Sequence, residues 1–192
     1  HSLARYPNAR WNVTLNKYFD RIVVINLERR SDRLEQFDAQ AKRVGFEYEV
    51  HKALDGKFIG MDPIVAGRLS HIQVLRSIGK DERVLICEDD AIFRDDFNEA
   101  LDSYMEELPE DWYIFYLGAL RVATKPVNKH WARQVETTGA QAYCIKPDKV
   151  DLFLRVNPTD DVEALLYVVA AYGCLSAHAG LALEEGWLAT ET

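Results

Sequence analysis

The chain has 192 residues, of which 48% are hydrophobic and 28% charged, a composition that excludes an intrinsically disordered protein. It carries 31 acidic and 23 basic residues, for a formal net charge of −8. A nucleic acid is therefore excluded as the partner, because binding a phosphate backbone requires a basic face. We expect an irregular lead-in over 1–20 and a single domain over 21–192.

The spacing of the cysteines and the hydropathy of the chain indicate the cellular compartment of the protein. Cys87, Cys144 and Cys174 have no CxxC spacing, which predicts buried thiols and neither a zinc site nor a disulfide framework. No apolar run reaches the length of a membrane span, and we expect no signal peptide. These features predict a cytoplasmic protein without a transmembrane segment, with peripheral attachment to a membrane as the alternative.

Apolar periodicity and turn residues divide the chain into alternating strands and helices. The predicted strands are Arg21–Asn26, Phe46–Val50, Val84–Cys87, Trp112–Leu117, Gly139–Ile145 and Gly173–Ala177. The predicted helices are 31–44, 63–78, 97–108, 147–153 and 162–172. This alternation predicts an α/β fold, a three-layer αβα sandwich with a mostly parallel central sheet.

Local signals place several boundaries. Gly45 is expected to end the first helix, and Asp62 followed by Pro63 to begin the second. That second helix is expected to turn Val65, Leu69, Ile72 and Leu75 inward. Residues 119–137 are polar and contain Thr, Lys, Pro and Asn, which predicts a long loop.

Three consecutive acidic residues, Glu88, Asp89 and Asp90, follow the apolar strand 84–87. Carboxylates at the end of a buried strand are costly unless they are paired or hold a metal. Open α/β folds bind ligands at this end of their strands, and hard oxygen ligands suit Mg²⁺ or Mn²⁺. The segment predicts a metal–diphosphate site, in which Asp90 and Glu88 bind the metal while Glu88 or Asp89 reaches a ribose or a bound water. The alternative is a solvated turn.

A basic segment follows the first strand and opens a helix. Asn26, Leu27, Arg29, Arg30 and Arg33 are candidates for binding phosphate or stacking on a base, since backbone amides at a helix start favour anions. The alternative is that Arg30 and Arg33 pair with Glu28 and Asp32 on a solvated helix face.

Two further candidate groups lie in a loop and on a helix. Asp55 and Gly56 follow Ala53 after the second strand, where Asp55 is suited to accept a hydrogen bond from a hydroxyl or N–H of a ligand. An ordinary Asp-Gly turn is the alternative. Ser70 and His71 lie beside the apolar stripe of the second helix, where His71 either faces a nucleotide, supports a carboxylate or is simply structural.

Five segments resemble glycosyltransferase family 25 in their sequence and order, over roughly residues 20–190. That family includes bacterial lipopolysaccharide sugar transferases and collagen hydroxylysine galactosyltransferases. The segments are Val24–Arg33, Ala53–Gly56, Leu69–His71, Glu88–Ala91 and Tyr116–Gly118. The resemblance implies a GT-A-like fold, a UDP-sugar donor carrying galactose or glucose, usually Mn²⁺, and an acceptor hydroxyl on a glycan, a lipopolysaccharide or a hydroxylysine. For a eukaryotic source it also implies the ER lumen.

The implied reaction suggests roles near the C-terminus. An inverting transfer needs a carboxylate to take the acceptor proton, and Asp161 is the candidate base, with Asp160 either sharing that role or capping a helix. His178 is a candidate third metal ligand, with a surface histidine as the alternative. Trp131 and Trp187 lie outside the predicted elements and are candidates for stacking on a sugar ring.

The chain also departs from the family pattern. Ala66-Gly67 stands where the family has a Gly-Cys pair, and His178-Ala179 stands where it has His-Pro. These departures motivate one alternative, a nucleotide-sugar-binding module that has lost catalysis. A second alternative is a metal-dependent nucleotidyltransferase, although the sequence lacks a Gly-rich phosphate loop.

Overall fold

The computed structural model describes residues 14–155, 174–177 and 182–184. The strands are β1 Arg21–Asn26, β2 Glu49–Lys52, β3 Val84–Glu88, β4 Ala91–Phe93, β5 Ile114–Pro126, β6 Trp131–Ile145, β7 Cys174–Ala177 and β8 Ala182–Glu184. The helices are α1 Thr14–Tyr18, α2 Ser31–Val44, α3 Gly56–Ile59, α4 Pro63–Arg76, α5 Phe97–Glu106 and α6 Val150–Leu154, the last following a short 3-10 turn, Pro147–Lys149. None of the helices in these ranges has the length and apolar character needed to cross a bilayer.

The central sheet has the strand order β2-β1-β3-β6-β5-β7. β1 runs parallel to β2 and β3, and β7 runs parallel to β5. β6 is antiparallel to β3, β5 and β7 and lies between β3 and β5. Five of the six strands therefore point in one direction, and the predicted mostly parallel sheet is confirmed.

Helices cover both faces of this sheet. One apolar cluster packs α1, α2 and α5 against alternate residues of β1, β3 and β5, including Val24, Leu85 and Phe115. The second cluster packs α4 and α6 against the intervening residues, including Ile86 and Ile114. Because both faces are buried, the central strands are continuously apolar, as parallel strands usually are. The predicted three-layer αβα sandwich is confirmed.

The predicted helix boundaries at Gly45 and Asp62 are confirmed. Gly45 ends α2 in the left-handed conformation, with φ of 88°, which a glycine adopts without steric cost. The Asp62 carboxylate accepts hydrogen bonds from the backbone N–H groups of Ile64 and Val65 at the start of α4. The helix then ends at Arg76, two residues before the predicted end.

Three predicted features of the first half of the chain are wrong. The lead-in is not irregular throughout, since Thr14–Tyr18 forms α1 and Leu15 is buried in the core. The second strand begins at Glu49, and Val50 is exposed. The buried residues of α4 are Ala66, Ser70, Val74 and Leu75, so that the inward face is rotated from the predicted stripe.

The predicted loop over 119–137 is instead part of a long β-hairpin. β5 and β6 pair from Ile114 with Ile145 out to Pro126 with Ala132, with several register shifts. Asn128 closes the turn, since its side-chain oxygen accepts from the backbone N–H groups of His130 and Trp131. The polar composition misled the prediction because the two strands satisfy each other's backbone groups without needing an apolar sequence.

The acidic segment lies at the end of β3, one residue beyond the predicted strand end at Cys87. β3 stops at Glu88, residues 89 and 90 turn, and Ala91–Phe93 pairs with Ala182–Glu184 in a separate two-stranded sheet. The acidic residues therefore lie in a turn between two sheets. This turn is the centre of the candidate site.

Candidate functional site at the carboxyl edge of the sheet

The ends of β1, β2 and β3 meet at one edge of the central sheet. Asn26 is the last residue of β1 and Glu88 the last of β3, and the two strands are adjacent and parallel. The backbone N–H of Ala53, just after β2, donates to the backbone oxygen of Asn26 at 2.8 Å. Three of the segments singled out in the sequence are thus brought together by the parallel register.

The acidic turn, defined as Glu88, Asp89 and Asp90, is braced from the α2 side. Asn26 Nδ2 donates to Asp89 Oδ2 at 2.7 Å. Arg33 Nη1 lies 3.1 Å from both Asp89 Oδ1 and Asp90 Oδ2. Asp89 is therefore held at both carboxylate oxygens, and its side chain is only 10% exposed. Its contacts make it an anchor for the turn, with Glu88 and Asp90 on either side of it.

Glu88 contacts the opposite layer of the sandwich. Its Oε1 lies 3.5 Å from His71 Nε2 on α4, and its side chain is 34% exposed. The other ring nitrogen of His71, Nδ1, lies 2.9 Å from the hydroxyl of Tyr143 on β6. Tyr143 is a residue that the sequence analysis missed, because an isolated tyrosine in an apolar strand has no local pattern that marks it as part of a site.

Arg29 and Asp55 join the loops that follow β1 and β2. Arg29 Nε donates to Asp55 Oδ2 at 2.6 Å, and this hydrogen bond lowers the pKa of Asp55 below its ordinary value. The same aspartate caps α3, since its Oδ1 accepts from the backbone N–H of Lys57 at 3.2 Å. Asp55 is thus an ionised group at the sheet edge.

Gly56 and Ser70 hold this loop against α4. A Cβ on Gly56 would stand 2.7 Å from the backbone oxygen of Met61 and 3.2 Å from the Cβ of Ala66. The buried Ser70 hydroxyl donates to the backbone oxygen of Ala66 and accepts from the backbone N–H of Leu54. In the structure, both residues therefore support the predicted binding loop by packing and hydrogen bonding.

The remaining basic candidates are also engaged within the protein. Arg30 donates to both carboxylate oxygens of Asp32, and this pairing lowers the pKa of Asp32 to about 2. The backbone N–H of Arg30 closes a turn on the oxygen of the half-buried Leu27. Arg30 therefore makes an ion pair of the kind that the solvated-face alternative describes, while Arg33 braces the acidic turn. Their phosphate contacts stay predictions.

A small pocket opens beside the acidic turn. It is lined by Asp89, Asp90, Ala91 and Ile92 on one side and by Gln36, Phe37 and Gln40 of α2 on the other. Within the described ranges, no cluster of three or more His, Cys, Asp or Glu side chains could hold a metal ion. Among the described residues, fewer than three such side chains would therefore bind a cation at this turn.

Some of the residues predicted for the site are not found at the sheet edge in the described part of the chain. Asp160, Asp161, His178 and Trp187 lie outside the described residues. Trp131, a candidate for stacking on a sugar, is buried in the core with none of its surface exposed, and its Nε1–H donates to the backbone oxygen of Tyr104. The prediction for Trp131 is wrong because its position lies in a strand, not in the loop that the sequence indicated.

Comparison with known sequences finds a family model that is similar to part of the chain. The sequence model described as Glycosyltransferase family 25 (LPS biosynthesis protein) matches residues 63–155. Three of the five segments named above lie in this range, namely Leu69–His71, Glu88–Ala91 and Tyr116–Gly118. The predicted resemblance to this family is thus confirmed.

Curated relatives match part of their own length. Procollagen galactosyltransferase 2 of Mus musculus is 27% identical over 140 residues, which cover 58% of this chain and 22% of that protein. A protein of Acanthamoeba polyphaga mimivirus named as a glycosyltransferase is 31% identical over 119 residues, covering 51% of this chain and 37% of that protein. The chain thus spans well under half the length of these relatives.

Similarity to solved structures is weaker, with low sequence identity and low TM-scores. A glycosyltransferase involved in glycosylation of the major capsid of PBCV-1 is 7% identical with a TM-score of 0.43, covering 68% of this chain and 61% of that one. The apo-form glycosyltransferase GlyE of Streptococcus pneumoniae TIGR4 is 12% identical with a TM-score of 0.43, covering 80% of this chain and 44% of that one. The strand order and layers described above, not these overlaps, define the fold class.

Proposed function

Taking this chain as a relative of glycosyltransferase family 25, we propose that it transfers a sugar from a UDP-sugar to an acceptor hydroxyl in a metal-dependent reaction. One observation carries the proposal. The acidic turn lies inside the family-matched range, at the carboxyl edge of parallel strands, and is braced by Asn26 and Arg33. Open α/β sheets bind ligands at this edge.

The donor's nucleoside would lie against the loops after β1 and β2. Asp55 has a lowered pKa and is ionised at neutral pH, which suits it to accept from a ribose hydroxyl or a uracil N–H. Its partner Arg29 has a side chain that is about half exposed and can turn toward a phosphate or stack on the base. Gly56 and Ser70 would keep this loop in place.

The donor set of the turn fits a hard divalent cation. Glu88 and Asp90 offer carboxylate oxygens, and Mg²⁺ is commonly held by one or two carboxylates together with substrate phosphates and water. When bound there, Mn²⁺ or Mg²⁺ would neutralise the diphosphate and stabilise the departing UDP. Arg33 would offset the mutual repulsion of Asp89 and Asp90 and so let the two carboxylates lie close together.

The candidate base for the acceptor hydroxyl is assigned from the sequence alone. Transfer needs a base to take the proton of the acceptor hydroxyl, and Asp161, with Asp160 as its neighbour, remains the candidate for an inverting reaction. The mouse relative is named as a galactosyltransferase that acts on procollagen. For this chain we infer galactose, or else glucose, as the transferred sugar and a glycan, lipopolysaccharide or hydroxylysine hydroxyl as the acceptor.

The test is a UDP-release assay with Mn²⁺. The donors are UDP-galactose and UDP-glucose, and the acceptors are free hydroxylysine, a lipopolysaccharide core oligosaccharide and water. We expect release from one donor that is abolished by a chelator and in Asp90→Asn. Asp81→Asn is the matched control, because it makes the same chemical change at an exposed position, and it should retain wild-type release.

Other outcomes identify the alternatives. Metal-dependent UDP binding in calorimetry without turnover on any acceptor would indicate a binding module. Release of pyrophosphate instead of UDP would indicate a nucleotidyltransferase. Unchanged Mn²⁺-dependent affinity for UDP in Asp90→Asn would refute the assignment of Asp90 as a metal ligand.

A further inference from the structure

We propose that Tyr143 is a positioning residue that acts through His71 to set the orientation of the Glu88 carboxylate. The inference rests on the function proposed above, because it gives that carboxylate a defined direction in the donor site. No motif assigns a role to Tyr143. Its hydroxyl lies 2.9 Å from His71 Nδ1, and His71 Nε2 lies 3.5 Å from Glu88 Oε1.

The strand register places these three side chains on one face of the sheet. Tyr143 pairs with Ile86 of β3, and both residues belong to the apolar cluster on the α4 side. Glu88 follows Ile86 by two residues and so leaves the strand on the same face. His71 lies on α4 above them, with its ring stacked on that of Tyr143 at a centroid distance of 5.7 Å.

Burial determines the direction of the hydrogen bond between Tyr143 and His71. Tyr143 is 5% exposed, and burial, reinforced by the nearby Glu88 charge, raises the pKa of its hydroxyl far above neutrality. The hydroxyl is therefore protonated, and a buried O–H group requires an acceptor. Nδ1 of His71 is the acceptor that it contacts within the described residues.

This direction determines which nitrogen of His71 carries the proton. A neutral imidazole has one donor and one acceptor nitrogen, so an accepting Nδ1 leaves the proton on Nε2. Nε2–H then faces Glu88 Oε1 as a donor, whereas the other tautomer would set a lone pair against a carboxylate. The separation of 3.5 Å is long, but hydrogen bonds of this kind often shorten when the ligand binds.

The consequence is that the two ends of the acidic turn are oriented from opposite layers. Arg33 of α2 contacts Asp89 and Asp90, and Asn26 of β1 contacts Asp89. His71 of α4, backed by Tyr143 of β6, contacts Glu88 on the opposite face. Removing the Tyr143 hydroxyl frees His71 to adopt either tautomer or another rotamer. Glu88 then loses its defined direction while the Asp89 anchor stays in place.

The first experiment measures the histidine tautomer and needs no ligand. Long-range ¹H–¹⁵N NMR spectra of the ¹⁵N-histidine-labelled protein, with the His71 signals identified from His71→Asn, should show the Nε2–H form in the wild type. Tyr143→Phe should give a mixture of tautomers. Tyr104→Phe, which removes a hydroxyl from a buried tyrosine of the other cluster, should leave the His71 signals unchanged.

The second experiment measures UDP affinity by calorimetry with Mn²⁺. The loss of one hydrogen bond predicts binding about five-fold weaker in Tyr143→Phe and unchanged in Tyr104→Phe. A second pair of variants applies even if Tyr143→Phe folds poorly. His71→Gln retains an N–H donor near Glu88 and should bind UDP more tightly than His71→Leu.

Each result bears on a separate claim. A wild-type protein that fails to bind UDP would overturn the proposed function, while the tautomer would still report on the hydrogen-bonded chain. A wild type that binds UDP together with a Tyr143→Phe variant of equal affinity and unaltered His71 tautomer would overturn the positioning role. Equal affinities in His71→Gln and His71→Leu would overturn it as well.

Discussion

Replacing Gly56 by alanine tests whether the loop after β2 is held by close packing. An added Cβ would lie 2.7 Å from the backbone oxygen of Met61 and 3.0 Å from the Cα of Pro63. Both atoms belong to the backbone that leads into α4, so neither can move without disturbing the Asp62 cap. Gly67, inside α4, is the matched control because a Cβ there would meet no atom of the described residues within 4 Å beyond the backbone of its own helix.

The two substitutions should change stability in opposite directions. Overpacking against a rigid neighbour costs about 1–3 kcal/mol, and we expect this loss of unfolding free energy for Gly56→Ala. An alanine replacing a glycine inside a helix is more favourable by about 0.5–1 kcal/mol, and we expect this gain for Gly67→Ala. For a chain of this size each kcal/mol shifts the Tm by about 2–4 °C.

Urea denaturation followed by far-UV circular dichroism provides the measurement, with a thermal melt as a check. Gly56→Ala should also weaken UDP binding, because Asp55 precedes the displaced residue. Equal stability of Gly56→Ala and the wild type would refute the packing argument. A comparable loss in both variants would show that any added methyl group destabilises this region and that the backbone contact is not the cause.

Three further predictions concern other parts of the molecule. Carboxyl ¹³C NMR should show that Asp55 titrates below its ordinary pKa and that its pKa rises toward the ordinary value in Arg29→Gln. Because the pKa of Asp55 is lowered in the folded state, the stabilisation from the Arg29–Asp55 pair is present near neutral pH and is lost as the pH falls below about 3.9. Trp131→Phe should lower the unfolding free energy by about 1–3 kcal/mol, because it removes a buried hydrogen bond, yet retain UDP-sugar affinity in calorimetry; weakened binding would restore a role in sugar stacking. Burial raises the pKa of the Cys87 thiol and raises that of Cys144 to about 12. In a Cys174→Ser background, a thiol reagent at pH 8 should therefore modify neither cysteine until urea unfolds the protein. Rapid labelling of the native protein would contradict this burial.

The features that the sequence predicted correctly are those encoded within a few residues. The continuous apolar runs of β1 and β3 require burial on both faces, which is what the sheet provides. Gly45 ends α2 and Asp62 begins α4 through hydrogen bonds that reach only two to four residues along the chain. The acidic segment was recognisable for the same reason, since three carboxylates after an apolar strand are unusual whatever surrounds them.

The contacts that make the site were decided by the tertiary structure. Asp89 meets Asn26 across 63 residues of sequence and Tyr143 meets His71 across 72, so that no local pattern reveals either pair. Trp131 and the β5–β6 hairpin were mispredicted for a related reason, because a polar strand is stabilised by its partner's backbone and not by its own composition. The sequence by itself determined the elements, the acidic turn and the family resemblance. Only the packing of distant segments decided which carboxylates are anchored, which face the site and which residues hold them, because burial and parallel register are properties of the folded sheet.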